Sequence, residues 1–221
     1  MRFVLALFLT LCPLRAASCE LALIFAVDVS GSVDHAEFAI QMEGLAHALG
    51  DDQVSEALVA GSAALAVVQW TGASRQRLTV PWTQVTSFEA LDAFRAEVAA
   101  DVRVWRNFST AIGEALHVSA GLFADAPACA RRVIDISGDG VSNEGVTPAN
   151  THAIMQARGI TVNALVIEDA TAGDLTGYFY ENVITGPGAF LVTAGGYRDY
   201  PRQMRRKLLR EVVQTVGAVT R

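Results

Sequence analysis

The chain has 221 residues, 52% of them hydrophobic and 18% charged, with a formal charge of −6. That length suits one ordinary domain burying roughly 70% of its unfolded surface, and the composition excludes a disordered chain. The acidic balance excludes nucleic acid as a partner, because phosphate contacts need clustered Lys and Arg.

Residues 1–18 read as a secretory signal peptide. Met1-Arg2 gives a positive start, Phe3 to Leu11 an apolar stretch and Ala16-Ala17-Ser18 a small-residue exit. The apolar stretch falls short of the roughly 20 residues needed to cross a bilayer, so no transmembrane segment is expected after cleavage. Residues 19–221 then form a single domain, secreted and periplasmic. Losing Arg2 and Arg15 would move the charge from −6 to −8. A second reading anchors the protein by a lipid on Cys19, although such signals usually carry Leu three residues earlier, where this chain has Ala16.

Cleavage removes Cys12 and leaves Cys19 and Cys129, each just before an apolar run. If those runs are parallel neighbouring strands, the two thiols share one end of the sheet. A disulfide there would close a loop of on the order of 110 residues and contribute up to about 4–5 kcal/mol. Lipidation and this bridge exclude one another, and two free thiols are a third reading.

Leu21 to Val27 is an uncharged apolar run that reads as a buried strand, and it ends at Asp28-Val29-Ser30-Gly31-Ser32. In an open parallel sheet ligands sit beyond the carboxyl ends of the strands. A carboxylate with two hydroxyls there offers hard oxygen donors, suited to Mg²⁺ or Mn²⁺ better than to Zn²⁺. The plainer reading is that Asp28 ends a strand while Ser30, Ser32 or Asp34 caps the next helix.

Phe38, Met42, Leu45, Ala46 and Leu49 recur at helical spacing, so 35–49 is an amphipathic helix, and a short helical piece over 53–59 follows. Ala64 to Trp70 and Leu78 to Trp82 read as an antiparallel hairpin, the second strand edge-like because of Pro81. Residues 87–102 form a helix capped by Ser87. Asn107 to Leu116 is a polar loop entering a helix, with Thr110 where an N-cap belongs. Val133 to Ile136 is a strand whose exit, Ser137-Gly138-Asp139-Gly140, puts a second carboxylate at a strand end. A helix capped by Thr147 or Asn150 runs to Arg158, followed by a strand over 160–167, a helix over 172–183, a strand over 189–193 and a helix over 199–216. This alternation implies an α/β fold, a doubly wound, mostly parallel sheet with one antiparallel edge strand and helices on both faces.

The order of strand, D-x-S-x-S, helix, hairpin, helix, then Thr110 with Gly113, then strand and Asp139-Gly140 resembles the von Willebrand factor type A (VWA) domain and its metal-ion-dependent adhesion site (MIDAS). The similarity runs from Glu20 to Val216. Val-Asp-Val-Ser-Gly-Ser-Val-Asp, Ser-Gly-Asp-Gly and Gly-Pro-Gly-Ala-Phe look like a secreted bacterial branch whose members have no assigned function. The resemblance implies that Asp28, Ser30, Ser32, Thr110 and Asp139 surround one Mg²⁺ or Mn²⁺. It also implies that the cation keeps a position open for a Glu or Asp carboxylate of a partner protein. One departure is Gly138, where the family usually has Thr.

Two other readings stay open. A hydrolase or phosphatase with Asp28 as nucleophile would usually carry a second Asp two residues on, where this chain has Ser30, and a Ser-His-Asp hydrolase would need a G-x-S-x-G elbow that the sequence lacks. A metal-free structural domain would use the five polar residues to cap and satisfy their loops. The binding-module reading, not an enzyme, fits the residues best. His35, His47, His117 and His152 show no zinc spacing. Arg202, Arg205, Arg206, Lys207 and Arg210 make the last helix basic, as a solvated face or as a surface for an anionic membrane or partner. Trp70, Trp82 and Trp105 read as core or core margin.

Overall fold

A computed structural model of the protein describes residues 19–168 and 173–216. The expected signal peptide, with Cys12, lies outside the described residues, as do 169–172 and 217–221. Six strands form one sheet: β1 (Cys19–Asp28), β2 (Ala64–Trp70), β3 (Gln76–Gln84), β4 (Cys129–Gly138), β5 (Ile160–Ile167) and β6 (Leu191–Ala194). The helices are α1 (His35–Leu49), α2 (Asp52–Ala60), α3 (Phe88–Ala100), α4 (Ile112–Leu122), α5 (His152–Ala157), α6 (Leu175–Asn182) and α7 (Tyr200–Val216).

The sheet order is β3-β2-β1-β4-β5-β6, with all neighbours parallel except the β2/β3 hairpin. The antiparallel edge and the parallel remainder agree with the alternation read from the sequence. Pro81 is tolerated because β3 has a neighbour on one side only.

Period-two alternation in β1 explains the two cores. Leu21, Leu23, Phe25 and Val27 face a cluster that includes Leu45 and Leu49 of α1, Leu58 of α2, Phe94 of α3 and Leu208 of α7. Ala26 faces the opposite cluster with Leu116 of α4, Met155 of α5 and Phe179 of α6. With helices on both faces β1 has no wet side, which is why its run is apolar without interruption.

Cys19 and Cys129 are register partners at the amino ends of β1 and β4, and a disulfide joins them with 4.5 Å between their Cα atoms. In that bond Cys19 has no thiol left to carry a lipid. Trp70 is fully buried, whereas Trp82 and Trp105 lie at the core margin. Among the described residues no helix is long and apolar enough to cross a membrane.

The basic face of α7 is narrower than its sequence suggests. Arg202, Arg205, Arg206 and Arg210 of α7 are exposed, but Lys207 is fully buried. Its ammonium lies 2.5 Å from Asp135 Oδ2 of β4 and 3.9 Å from Glu211 Oε2 one turn on. Glu211 also accepts from Asn163 Nδ2 of β5 at 2.7 Å and pairs with Arg131 at 3.2 Å. A helix packed on the centre of a sheet turns some of its basic positions inward, and a buried ammonium persists only against carboxylates.

Candidate functional site

The chain reverses its direction of sheet growth between β1 and β4, and this topological switch opens a crevice at their carboxyl ends. Val27 pairs with Ser137, so Asp28 emerges beside Gly138 and Asp139 follows at the mouth. Asp28 and Ser30 are fully buried, Asp139 is half-buried and Ser32 is exposed. The polar cluster therefore runs from the floor of the crevice to solvent.

Within it Ser30 N–H donates to Asp28 Oδ1 at 2.7 Å, and the Ser30 and Ser32 hydroxyls lie 3.2 Å apart. Ser32 Oγ donates to Asp139 Oδ1 at 2.6 Å, closing the link between the first and third loops. Asp28 Oδ2 is buried and has no hydrogen-bond partner. Burial, and after it the charge of Asp139, push the Asp28 carboxyl up to about 7, against the pull of its Ser30 hydrogen bonds. A carboxylate in that position calls for a proton or a cation.

The capping reading holds for Asp34 alone and leaves the hydroxyls of Ser30, Ser32 and Thr110 without a cap to make. The N-cap of α1 is Asp34, whose side chain accepts from Glu37 N–H at 2.8 Å while Glu37 returns to Asp34 N–H at 2.7 Å. Ser30 and Ser32 are thus free of that task. Thr110 does not cap α4 either: the N-cap position is Ala111, and the Ile112 N–H donates instead to Ser142 Oγ at 3.2 Å. Thr110 is buried, and its Oγ1 lies 3.9 Å from where a Cβ on Gly140 would stand. Asp28, Ser30, Ser32 and Asp139 are joined by hydrogen bonds, with Thr110 beside the third loop.

Backbone ties hold the three loops together. Gly31 N–H donates to the Phe108 carbonyl at 2.8 Å, and a Cβ on Gly31 would sit 3.3 Å from that oxygen. Thr110 and Asn143 exchange two bonds, the Asn143 Oδ1 accepting from Thr110 N–H and the Asn143 N–H donating to the Thr110 carbonyl, each at 2.9 Å. A Cβ on Gly113 would lie 2.0 Å from the Val146 carbonyl, so only glycine lets α4 approach the third loop. Gly138 is less constrained. A Cβ there would stand 3.2 Å from Asp28 Oδ2, 3.4 Å from Phe179 Cζ and 3.5 Å from Trp70 Cζ2. The Phe179 and Trp70 contacts are ordinary van der Waals distances, and the tight one is with the Asp28 carboxylate.

Sequence reasoning missed several contributors. Tyr197, in the turn before α7, donates its hydroxyl to Asp139 Oδ2 at 2.8 Å. Burial first, and then the charges of Asp139 and Asp28, raise its own ionisation far out of range, so it stays a neutral donor. Arg103 donates to the Val29 and Ser30 carbonyls at 3.0 and 2.9 Å, bracing the first loop from behind. Gln41 Nε2 of α1 donates to the Asp28 carbonyl at 3.1 Å. None has a local signal, because each reaches the site from a distant stretch.

The donor set is two carboxylates and three hydroxyls, and among the described residues no group of three or more His, Cys, Asp or Glu is placed to hold a metal ion. Hard oxygens around a buried, unsatisfied carboxylate fit a small divalent cation.

A family profile described as "Protein of unknown function (DUF1194)" matches residues 18–216. No curated protein matches in sequence. A structure of proximal thread matrix protein 1 from the mussel byssus with a zinc-occupied MIDAS motif matches with TM-score 0.63 at 14% identity, covering 89% of this chain and 47% of that one. The von Willebrand factor type A protein of Catenulispora acidiphila matches with TM-score 0.61 at 16% identity, covering 87% and 43%. The conserved hypothetical protein BatB of Bacteroides thetaiotaomicron matches with TM-score 0.52 at 15% identity, over 88% of this chain and 99% of that one. The present chain spans less than half the length of the first two, and the shared property is the fold.

Proposed function

The chain belongs to the DUF1194 family and has the VWA fold, and on that premise we propose that it is a secreted, periplasmic module that binds a protein partner through a cation-bridged carboxylate. The observation that carries this reading is the orphaned Oδ2 of buried Asp28 beside hydroxyls that cap nothing. Asp28, Ser30, Ser32, Thr110 and Asp139 would hold a divalent cation, Mg²⁺ or Mn²⁺ by the hardness of their oxygens. A structural relative with a zinc-occupied MIDAS motif supports a metal in this position. When bound, the cation supplies a positive charge on which an anionic oxygen of the partner rests.

The chain's own residues do the rest. Ser30 and Ser32 turn neutral oxygens inward and leave the positive charge incompletely neutralised. Tyr197 and Ser32 fix both oxygens of Asp139, and Arg103 and Gln41 hold the first loop in place. The exposed end of the cluster, at Ser32, faces solvent, where a partner's Glu or Asp can arrive. Recognition of this kind needs no proton transfer. The alternative, Asp28 as the nucleophile of a hydrolase, is disfavoured by its complete burial.

The test is binding of the protein to a surface displaying a Glu-bearing peptide, in Mg²⁺ and again in EDTA. Capture in Mg²⁺ that EDTA reverses and Asp139→Ala abolishes is expected. Metal-dependent capture by a Gln-bearing control surface would contradict the carboxylate bridge.

A further inference from the structure

The basic face of α7 meets an open sheet edge. β6 is the last strand and pairs only with β5. The Phe190 and Ala194 carbonyls accept from Ala164 and Glu168 of the β5 side. In a parallel ladder alternate residues turn both backbone groups to the same neighbour, so Val192 and Ala194 face β5. The N–H and C=O groups of Leu191 and Thr193 point outward, and no backbone partner meets them among the described residues.

Beside them opens a cleft of about 280 Å³ lined by Leu191, Val192, Thr193, Arg206 and Arg210. The two arginines stand one helical turn apart and are exposed. Their neighbours are engaged, Arg202 with Asp199 and Arg205 with Asp51. Arg206 and Arg210 have no carboxylate partner among the described residues. The Arg210 guanidinium lies 3.9 Å from the centre of the Phe190 ring, which holds it over the start of the strand. In a chain of net charge −6, two unpaired guanidiniums alongside unpaired strand amides are complementary to an acidic, extended ligand.

We propose that this edge is a docking surface for an extended segment of a protein partner that carries acidic side chains, adds to β6 as a further strand and sets its carboxylates against Arg206 and Arg210. Backbone pairing with Leu191 and Thr193 supplies the affinity, and the guanidiniums select the acidic sequence. The chain's own segments 1–18 and 217–221 contain no Asp or Glu and do not match the charge. The surface is independent of the cation site, since neither β6 nor the two arginines contribute a donor to it.

Fluorescence anisotropy of a labelled peptide of alternating Glu and Val, with EDTA present to silence the cation site, tests the proposal. The peptide binds, a Lys-Val peptide does not, and methylation of alternate backbone amides of the Glu-Val peptide abolishes binding. The double variant Arg206→Glu with Arg210→Glu weakens binding by roughly tenfold or more while its thermal melt stays that of the parent, because both side chains are exposed. The proposal is overturned if the Glu-Val peptide does not bind, if the methylated peptide binds as well, or if the double variant binds unchanged. It is also overturned if phosphatidylglycerol vesicles bind and the peptide does not, which would make the face lipid-directed.

Discussion

Asp28 has one oxygen satisfied by the Ser30 amide and the other without a hydrogen-bond partner. Its carboxyl is pushed up to about 7, so ionising it costs the metal-free protein on the order of a few kcal/mol. Asp28→Asn keeps the acceptor for Ser30 and removes the charge. Without metal at about pH 8, where the native carboxyl is ionised, the variant is expected to melt no lower than the parent. It should also lose the rise in Tm that Mg²⁺ gives the parent. A markedly lower metal-free melt would assign Asp28 a purely structural role. Stability and binding pull in opposite directions at this residue, as they do where a site is built from groups the fold alone would not choose.

At the scale of elements, α7 is anchored by charge inside the core. Asp135 is pushed up to about 6, chiefly by burial and also by the Glu211 charge, against the attraction of Lys207. Its folded value stands above the ordinary 3.8, so the native chain retains a proton that the unfolded chain releases. The stabilisation from that proton is complete below about 3.8 and disappears as pH rises through about 6. The stability difference between the parent and Asp135→Asn, measured by urea unfolding, should therefore shift against the parent as pH rises across that window. A difference that does not change with pH would contradict the burial of an ionisable Asp135.

The sequence held a signal for this anchor. Asp135 interrupts the short apolar run from Val133 to Ile136, and a buried carboxylate needs a partner, yet nothing local points from β4 to Lys207. Helical spacing placed α1 and α3 well, because their apolar stripes face the core directly. The helix expected over 172–183 begins at Leu175, where Asp174 accepts from Gly177 N–H. The expected cap at Thr110 was displaced by Ser142, a hydroxyl from the third loop that no helix-start pattern could reveal.

For the whole molecule, the disulfide closes a sequence separation of 110 residues. Cys19→Ser with Cys129→Ser should cost up to about 4–5 kcal/mol in urea unfolding. Loss of less than about 1 kcal/mol would show that the unfolded chain is already compact without it.

The fold was legible because strand and helix periods alternate cleanly and because the carboxylates of Asp28 and Asp139 fall at strand exits. Which strands adjoin was not legible in the residues themselves and came only with the VWA resemblance: the topological switch between β1 and β4 is what brings those two exits together. Tyr197 was invisible for the same reason, as its position after the edge strand says nothing of Asp139. A fold built this way offers a site between loops that are far apart in sequence, braced by backbone ties and open at one end.

On the proposed reading these three loops hold a divalent cation. Titration calorimetry of the folded protein with Mg²⁺ and with Mn²⁺, beside Asp28→Ala and Asp139→Ala, measures it directly. Saturable binding of one ion per chain, lost in both variants, is the predicted result. A folded parent that takes up neither ion, or variants that bind as the parent does, would contradict it.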